Sequence, residues 1–364
     1  MNDYAVRLLR RLLEIYSPSG REDEISEFLV KEMKDLGFHA WKDDVGNVIG
    51  EVGREKPAIL LCGHMDTVTG YIPVRVENNK LYGRGAVDAK ASLAAMIVAA
   101  SMVVKTELSN RILVAGLVDE EGSGKGIKHL IRENFSPDYA IFGEPSGIEK
   151  IIIGYKGSLR LKITCDTETG HSAAPWLFEN AVEKAFEIYG RIQKLRLPQE
   201  KLGSRFYSIT SCLTRIRGGE AISMVPSKCD IHLDLRIPPQ FTSQEVFGEV
   251  NKVARQYQVA NPKVTLRVKI EDITDPFEVD RSSTLVQALS RAIRNVRHKP
   301  ITLLRKTGTA DMNVFGNVIK IPVAAYGPGN SHLDHTRNEH IDILEYLDSI
   351  RVYREALMKL LLNA

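Results

Sequence analysis

Four apolar runs in this chain stop on His, Asp or Glu. "PAILLCGH" leads into His64 and Asp66, "RILVAGLV" into Asp119, Glu120 and Glu121, and "YAIF" into Glu144. "IPVAAY" is followed closely by His332, Asp334, His335, Glu339 and His340. Each run is short, in the manner of a buried strand. One carboxylate or imidazole past a strand end is ordinary turn chemistry. Four such ends are a pattern, because solvated loops use Lys, Ser and Asn as readily. The runs alternate with amphipathic helices, which implies an α/β fold with a mostly parallel sheet. In such sheets ligands bind beyond the carboxyl ends of the strands. A metal site there is the economical reading.

The donor types narrow the metal. Imidazole with several carboxylates and no thiolate suits Zn²⁺, Co²⁺ or Mn²⁺. Between the first two runs lies "LYGRGAVDAKASLAAMIVAASMVV", a long apolar helix with Asp88 at its mouth and Asp88 and Ser92 as candidate caps. There are more carboxylates than one ion needs, and Asp88 can bridge two. Two ions about 3.5–4 Å apart can polarise a carbonyl and hold a hydroxide between them. Of the adjacent Glu120 and Glu121, one can bind metal while the other takes the proton of water. Spacing alone does not choose among His332, His335 and His340.

Six motifs, "GHMDTV", "GRGAVDAKASLAA", "DEEGSG", "GEPSG", "GHSAAP" and "HTRNE", span nearly the whole chain. In this order they resemble the M20 family of co-catalytic zinc peptidases and deacylases. The resemblance implies two divalent ions, Zn²⁺ or Co²⁺. His64, Asp88 and Glu144 would hold one, and Asp88, Glu121 and His335 the other. It makes Glu120 the general base and Asp66 the carboxylate that orients His64 through its other ring nitrogen. His171 would donate to the tetrahedral oxyanion, supplied by the partner subunit of a homodimer. Arg236 would bind the substrate carboxylate, and Thr309 would sit in a substrate-contacting loop. Ser223 stands where the family often has Asn, so an amide-donor role does not transfer to it.

The central third changes character. Leu159, Leu161 and Ile163 alternate with Arg160, Lys162 and Thr164, and "KCDIHLDLRIPP" and "KVTLRVKIEDI" alternate similarly. "NAVEKAFEIYGRIQKL" and "SQEVFGEVNKVARQYQ" read as helices. This predicts an α+β insertion with a half-exposed antiparallel sheet. By the resemblance it is a lid and dimerisation domain over residues 155–272, inserted into a catalytic domain of residues 1–154 and 273–364.

Within the family, "LYGRGAVDAK", "GYKG", "KTGTADMN" and "AYGPGNSHLDHTRNEHI" look closest to the subgroup that releases lysine or ornithine from an acidic amino-group carrier protein. N-acetyl-ornithine and N-acetyl-lysine deacetylases and broad dipeptidases share the chemistry, and a non-catalytic metal-binding protein of the same fold is the alternative from another class. Three basic clusters offer a rim for an acidic partner: Arg294, Arg297 and Lys299; Arg305 and Lys306; and Arg215 and Arg217. Other partners are disfavoured. The formal net charge is only +3, and no Lys/Arg run is paired with stacking aromatics, which argues against nucleic acid. "SLAAMIVAASMVV" is too short to span a bilayer, which takes about 20 residues. "MNDYAVRLLRRLLEIY" reads as an amphipathic helix and not a signal peptide. Scattered Cys62, Cys165, Cys212 and Cys229 read as reduced core thiols of a cytoplasmic protein.

Overall fold

The apolar stretch before His64 forms the strand Glu55–His64, buried from Ala58 onward. The protein is seen in a computed structural model that describes residues 2–104, 109–133, 135–198, 200 and 203–362. Asn110–Leu117 and Tyr139–Phe142 flank that strand, both parallel to it, and Val323–Ala325 runs parallel to Tyr139–Phe142. Strands buried on both faces need no polar alternation, which is why these segments read as unbroken apolar runs. Their carboxyl ends share one edge of the sheet, and His64, the Glu120–Glu121 pair, Glu144 and His335 all follow those ends. Val48–Val52 and His39–Lys42 continue the sheet antiparallel on one side, and Lys150–Tyr155 pairs antiparallel with Val323–Ala325 on the other.

The apolar helix is Lys90–Val104, and every side chain from Lys90 to Ser101 is buried. A helix apolar all round must be enclosed on all sides. It packs against Ile343–Leu362, Asn2–Glu14 and the strand Glu55–His64. Ser92 lies inside its first turn with no exposure, so it is not the cap that the sequence suggested. Asp88 precedes the helix, and its carboxylate faces imidazoles instead. Among the described residues, no helix is long and apolar enough to cross a membrane.

The chain divides into two compact units. Met1–Gly154, Val279–Arg305 and Ala310–Ala364 make the first, and Tyr155–Glu278 with Lys306–Thr309 the second. The second unit thus runs beyond residue 272, because its last strand, Thr265–Thr274, continues past that point. Residues 306–309 belong with it as well, and the Lys306 carbonyl accepts the Lys156 N–H at 3.1 Å.

The second unit is a four-stranded antiparallel sheet in the order Thr210–Gly218, Lys228–Ile237, Gly157–Asp166, Thr265–Thr274. Leu159, Leu161 and Ile163 pair with Leu235, Leu233 and Ile231 on its buried face, under the helices Ala181–Gln193 and Ser243–Ala260. Asn180 caps the first helix by accepting Val182 N–H at 3.0 Å. A reciprocal Thr242–Glu245 capping box starts the second. The strand Thr210–Gly218 was not foreseen. It is mostly exposed, and an irregularity between Leu213 and Arg215 breaks its alternation. Three cysteines are buried as expected, but Cys212 lies exposed on this strand.

One glycine holds the strand-end loop of the first unit in place. A Cβ on Gly126 would stand against the Val118 carbonyl oxygen and 2.6 Å from Asn47 Oδ1. Asn47 Nδ2 donates to the Gly126 carbonyl at 3.0 Å, and its Oδ1 accepts the Val118 N–H at 3.0 Å. Gly126→Ala is therefore expected to cost about 1–3 kcal/mol, the usual penalty for overpacking. Equilibrium denaturation checks this, and an unchanged midpoint would show that the loop can yield.

Candidate metal centre

His64 ends its strand with its ring 2 % exposed. Its Nδ1 lies 3.0 Å from the main-chain oxygen of Asp66. A carbonyl only accepts, so Nδ1 carries a proton, and Nε2 is the atom that faces Asp88 and would be left for a ligand once its own proton is lost. Nε2 points at Asp88 Oδ1, 3.1 Å away. The Asp66 carboxylate is farther from the ring than its own main-chain oxygen, at 3.5 Å from Nδ1.

That carboxylate has a second role. Asp66 Oδ1 accepts the Glu120 N–H at 3.1 Å, and Oδ2 accepts the Glu121 N–H at 3.1 Å and the Ser19 hydroxyl at 2.7 Å. One fully buried side chain thus fixes the loop that carries both glutamates. Burial pushes its carboxyl up, but the His64, Ser19 and Glu120 hydrogen bonds outweigh burial and hold it below the ordinary value. Asp119, which opens the loop, sits at φ 60°, and His335 at φ 61°. The left-handed region costs a non-glycine residue about 1–2 kcal/mol, and such outliers gather where side chains must be aimed.

Asp88 lies between two imidazoles. Its Oδ1 faces His64, and its Oδ2 is 3.2 Å from His335 Nε2. His335 Nε2 is also 2.7 Å from Glu121 Oε1. Asp88, Glu121 and His335 each offer a donor atom within 4.8 Å of the others, a group that could hold a metal ion. Burial raises the Asp88 carboxyl, and the hydrogen bonds from both histidines overcome it and hold it well below the usual carboxylate range. The hydrogen bond to Asp88, together with Glu121, raises His335 to about 9 against the opposing effect of burial. Negative charge is concentrated here, and the donor set is the hard oxygen and borderline nitrogen mixture that divalent ions take.

Not every expected ligand joins that group. Glu144 follows its strand end as expected and His64 faces Asp88, but among the described residues no three-donor group includes either of them. His340 stacks on Tyr82, ring centroids 4.7 Å apart, and His332 lies in the middle of the short 3₁₀ turn Ser331–Leu333. Neither joins the three-donor group. His171, Arg236 and Thr309 belong to the second unit. There the Ala173 N–H donates to His171 Nδ1 at 3.0 Å, which places the ring proton on Nε2 and leaves that N–H to donate elsewhere. Arg236 pairs with Asp234 at 2.8 Å. Of the basic residues expected at a rim, Arg297 is bound to Asp348 and Glu149, and Lys299 to Glu149 at 2.9 Å. Those two are structural ion pairs. Arg215 and Arg217 lie on the exposed strand Thr210–Gly218.

Sequence reasoning passed over Ser19 and Asp311. Ser19 carried no signal, since it reaches Asp66 from a loop far back in the chain. Asp311, in "KTGTADMN", is buried, and its Oδ2 has no hydrogen-bond partner. Glu120 is pushed well above the carboxylate range, first by burial and then by Asp311, Asp88 and Glu121, against the opposing charge of His64.

A carboxylate–imidazole group that could hold a metal ion, beside a further buried glutamate, is in keeping with a metal-dependent hydrolase of amide bonds. The chain belongs to peptidase family M20/M25/M40, which residues 60–359 match. It is 35% identical over 360 residues to the LysW-lysine/LysW-ornithine hydrolase of Saccharolobus solfataricus, covering 98% of this chain and 96% of that one. A Pyrococcus furiosus protein that carries the same name provisionally is 40% identical over 358 residues, 98% of each chain. The fold is also that of a Bacillus subtilis protein described as a dinuclear metal-binding peptidase of family M20. That structure matches at a TM-score of 0.75 with 16% identity, over 99% of this chain and 98% of the other.

Burial raises Asp311 from 3.8 to about 7. Between those values the folded protein keeps a proton that the unfolded chain releases, so stability falls as pH rises through that window. Asp311→Asn removes this loss. The metal-free variant should melt above the parent at pH 8 and show no such gain at pH 4, as calorimetry will show. Equal melting at pH 8 would mean that the carboxylate ionises in place without penalty.

Proposed function

We propose that this protein hydrolyses the amide joining the C-terminal glutamate side chain of an acidic amino-group carrier protein to the α-amino group of lysine or ornithine. The product would be the free diamino acid for biosynthesis, made in the cytoplasm. The names of the relatives support the substrate. The observation that carries the chemistry is Asp88, whose two oxygens face His64 and His335 separately. A carboxylate so disposed would serve to bridge two ions. His64, Asp88 and Glu144 would hold one Zn²⁺ or Co²⁺, and Asp88, Glu121 and His335 the second. Two such ions polarise a carbonyl and acidify water.

The protein's own residues supply the rest. Glu120 takes a proton from the attacking water as its oxygen joins the acyl carbon, and passes that proton to the nitrogen as the C–N bond breaks. A carboxyl raised by burial suits this role, because proton transfer is most efficient when the pKa lies near the working pH. His171 donates from Nε2 to the oxyanion, Arg236 binds the free carboxylate of the amino acid, and Thr309 contacts the substrate. Glu120→Gln should keep its metal complement and lose kcat by about 10²–10⁴-fold. Elemental analysis beside turnover checks both halves, and loss of an ion would reassign Glu120 as a ligand.

The second unit serves as lid and dimerisation domain in this reading. Thr210–Gly218 is the last strand on its side of the sheet, and an exposed edge is a ready template for a second chain. Trp176 and Ile222 are exposed nearby in sequence to His171 and Met224, whose segments bridge each other. With His171 acting across a homodimer, inactive His171→Ala and Glu120→Gln chains should regain activity when mixed, since one composite site is then whole. No recovery after confirmed subunit exchange would place His171 in its own chain's site.

Salt separates the carrier from a small acylated substrate. Arg215 and Arg217 offer positive charge for an acidic partner. Steering should raise kcat/KM at low salt and fade as the screening length shrinks from about 30 Å at 0.01 M to about 10 Å at 0.1 M. An N-acetylated amino acid or a dipeptide should show much less salt dependence. Equal efficiency on these, with no salt effect on the carrier conjugate, would favour a deacetylase or dipeptidase.

A further inference from the structure

Arg84 of "GRGAVDAK" and Glu339 of "HTRNE" are motif residues that the chemistry above does not use. They meet. Glu339 Oε2 accepts from Arg84 Nη1 at 2.8 Å, with side-chain exposures of 1 % and 6 %. Arg84 Nε donates to the Gly70 carbonyl at 2.9 Å. The other oxygen, Glu339 Oε1, accepts the main-chain N–H of Val87 at 2.9 Å and of Asp88 at 3.1 Å. A carboxylate so buried persists because charged and amide donors satisfy it.

The positions of these residues matter as much as the bonds. Glu339 lies on the same loop as His335, and its carboxylate grips the main chain of Asp88. Just beyond, His340–Asp342 pairs antiparallel with Lys80–Tyr82, His340 opposite Tyr82. The two ligand-bearing loops therefore leave one short ladder and are joined again by the Glu339 carboxylate. We propose that Glu339, oriented by Arg84, is a positioning residue that sets the spacing of Asp88 and His335 and so the geometry of the metal centre. The inference rests on the assignment of Asp88 and His335 as ligands. An ion pair that merely held the fold would need no acceptor on the amide of a ligand.

The test is calorimetric titration of Co²⁺ into the chelator-treated full-length protein, with the visible absorption of bound Co²⁺ recorded alongside. Arg84→Met/Glu339→Leu replaces the pair with apolar side chains of similar size, which buried ion pairs often tolerate without loss of folding. It should bind Co²⁺ about 10–100-fold more weakly, with an altered absorption envelope and a comparable fall in kcat at little change in KM. Arg84→Met/Glu339→Gln keeps an oxygen for both amides without setting an NH2 against the guanidinium, and should recover most of that loss. The clamp is overturned if the Met/Leu protein binds Co²⁺ with the parent's affinity and spectrum, whatever its melting temperature. It is equally overturned if Arg84→Met/Glu339→Gln is no better than Met/Leu. A parent that takes up Co²⁺ but cleaves no carrier conjugate would leave the clamp standing and remove the substrate assignment instead.

Discussion

Everything at the centre of the first unit leans on the Asp66 carboxylate. It lies two residues past the strand end that delivers His64, and it accepts the amides of Glu120 and Glu121 from the next strand's loop. Ser19, from near the start of the chain, completes it. Three separate segments are registered against one negative charge. Charge-assisted bonds of this kind are about twice as strong as neutral ones, and the buried setting removes competition from water. The glutamates on this loop can then differ in role while being adjacent in sequence, because their main chain is held and only their side chains diverge.

The parallel part of the fold was legible because a strand buried on both faces must be apolar throughout, and its end must change character where the sheet meets the site. His64, Glu121 and His335 followed from that rule together with the family motifs. The placement of Glu144 was legible too, but not that the three-donor group leaves out both Glu144 and His64. Thr210–Gly218 escaped notice because an edge strand with a register shift has no clean period to detect. Ser92 looked like a cap because a hydroxyl just after a charged turn usually is one, yet the helix had already begun. Arg297 looked like a free surface cation. Its acid partners, Glu149 and Asp348, are distant in sequence and could not be seen from its neighbours.

Contacts between residues far apart in the chain are the part that no local pattern encodes. Ser19 to Asp66 and Arg84 to Glu339 each join segments that only the completed sheet brings together. Both carry motif or loop residues whose chemistry looks idle in isolation. Buried polar groups of this sort contribute little net stability compared with well-packed apolar ones, but each is costly to leave unpaired. They specify which arrangement of loops is the native one.

The order of strands has a consequence for synthesis. Val323–Ala325 lies between Tyr139–Phe142 and Lys150–Tyr155 in the sheet, though more than 160 residues of sequence separate it from either. On a ribosome, all of Tyr155–Glu278 has emerged before that strand exists, so the four-stranded sheet of the second unit can assemble while the first still lacks a central member. Domains generally fold as units during synthesis, and exposed strand edges invite misassociation meanwhile. Tyr139–Phe142 keeps one edge unpaired throughout that interval. His335 arrives later still, so the nascent chain displays Asp88, Glu120 and Glu121 as a carboxylate cluster well before the imidazole that completes the three-donor group has been made.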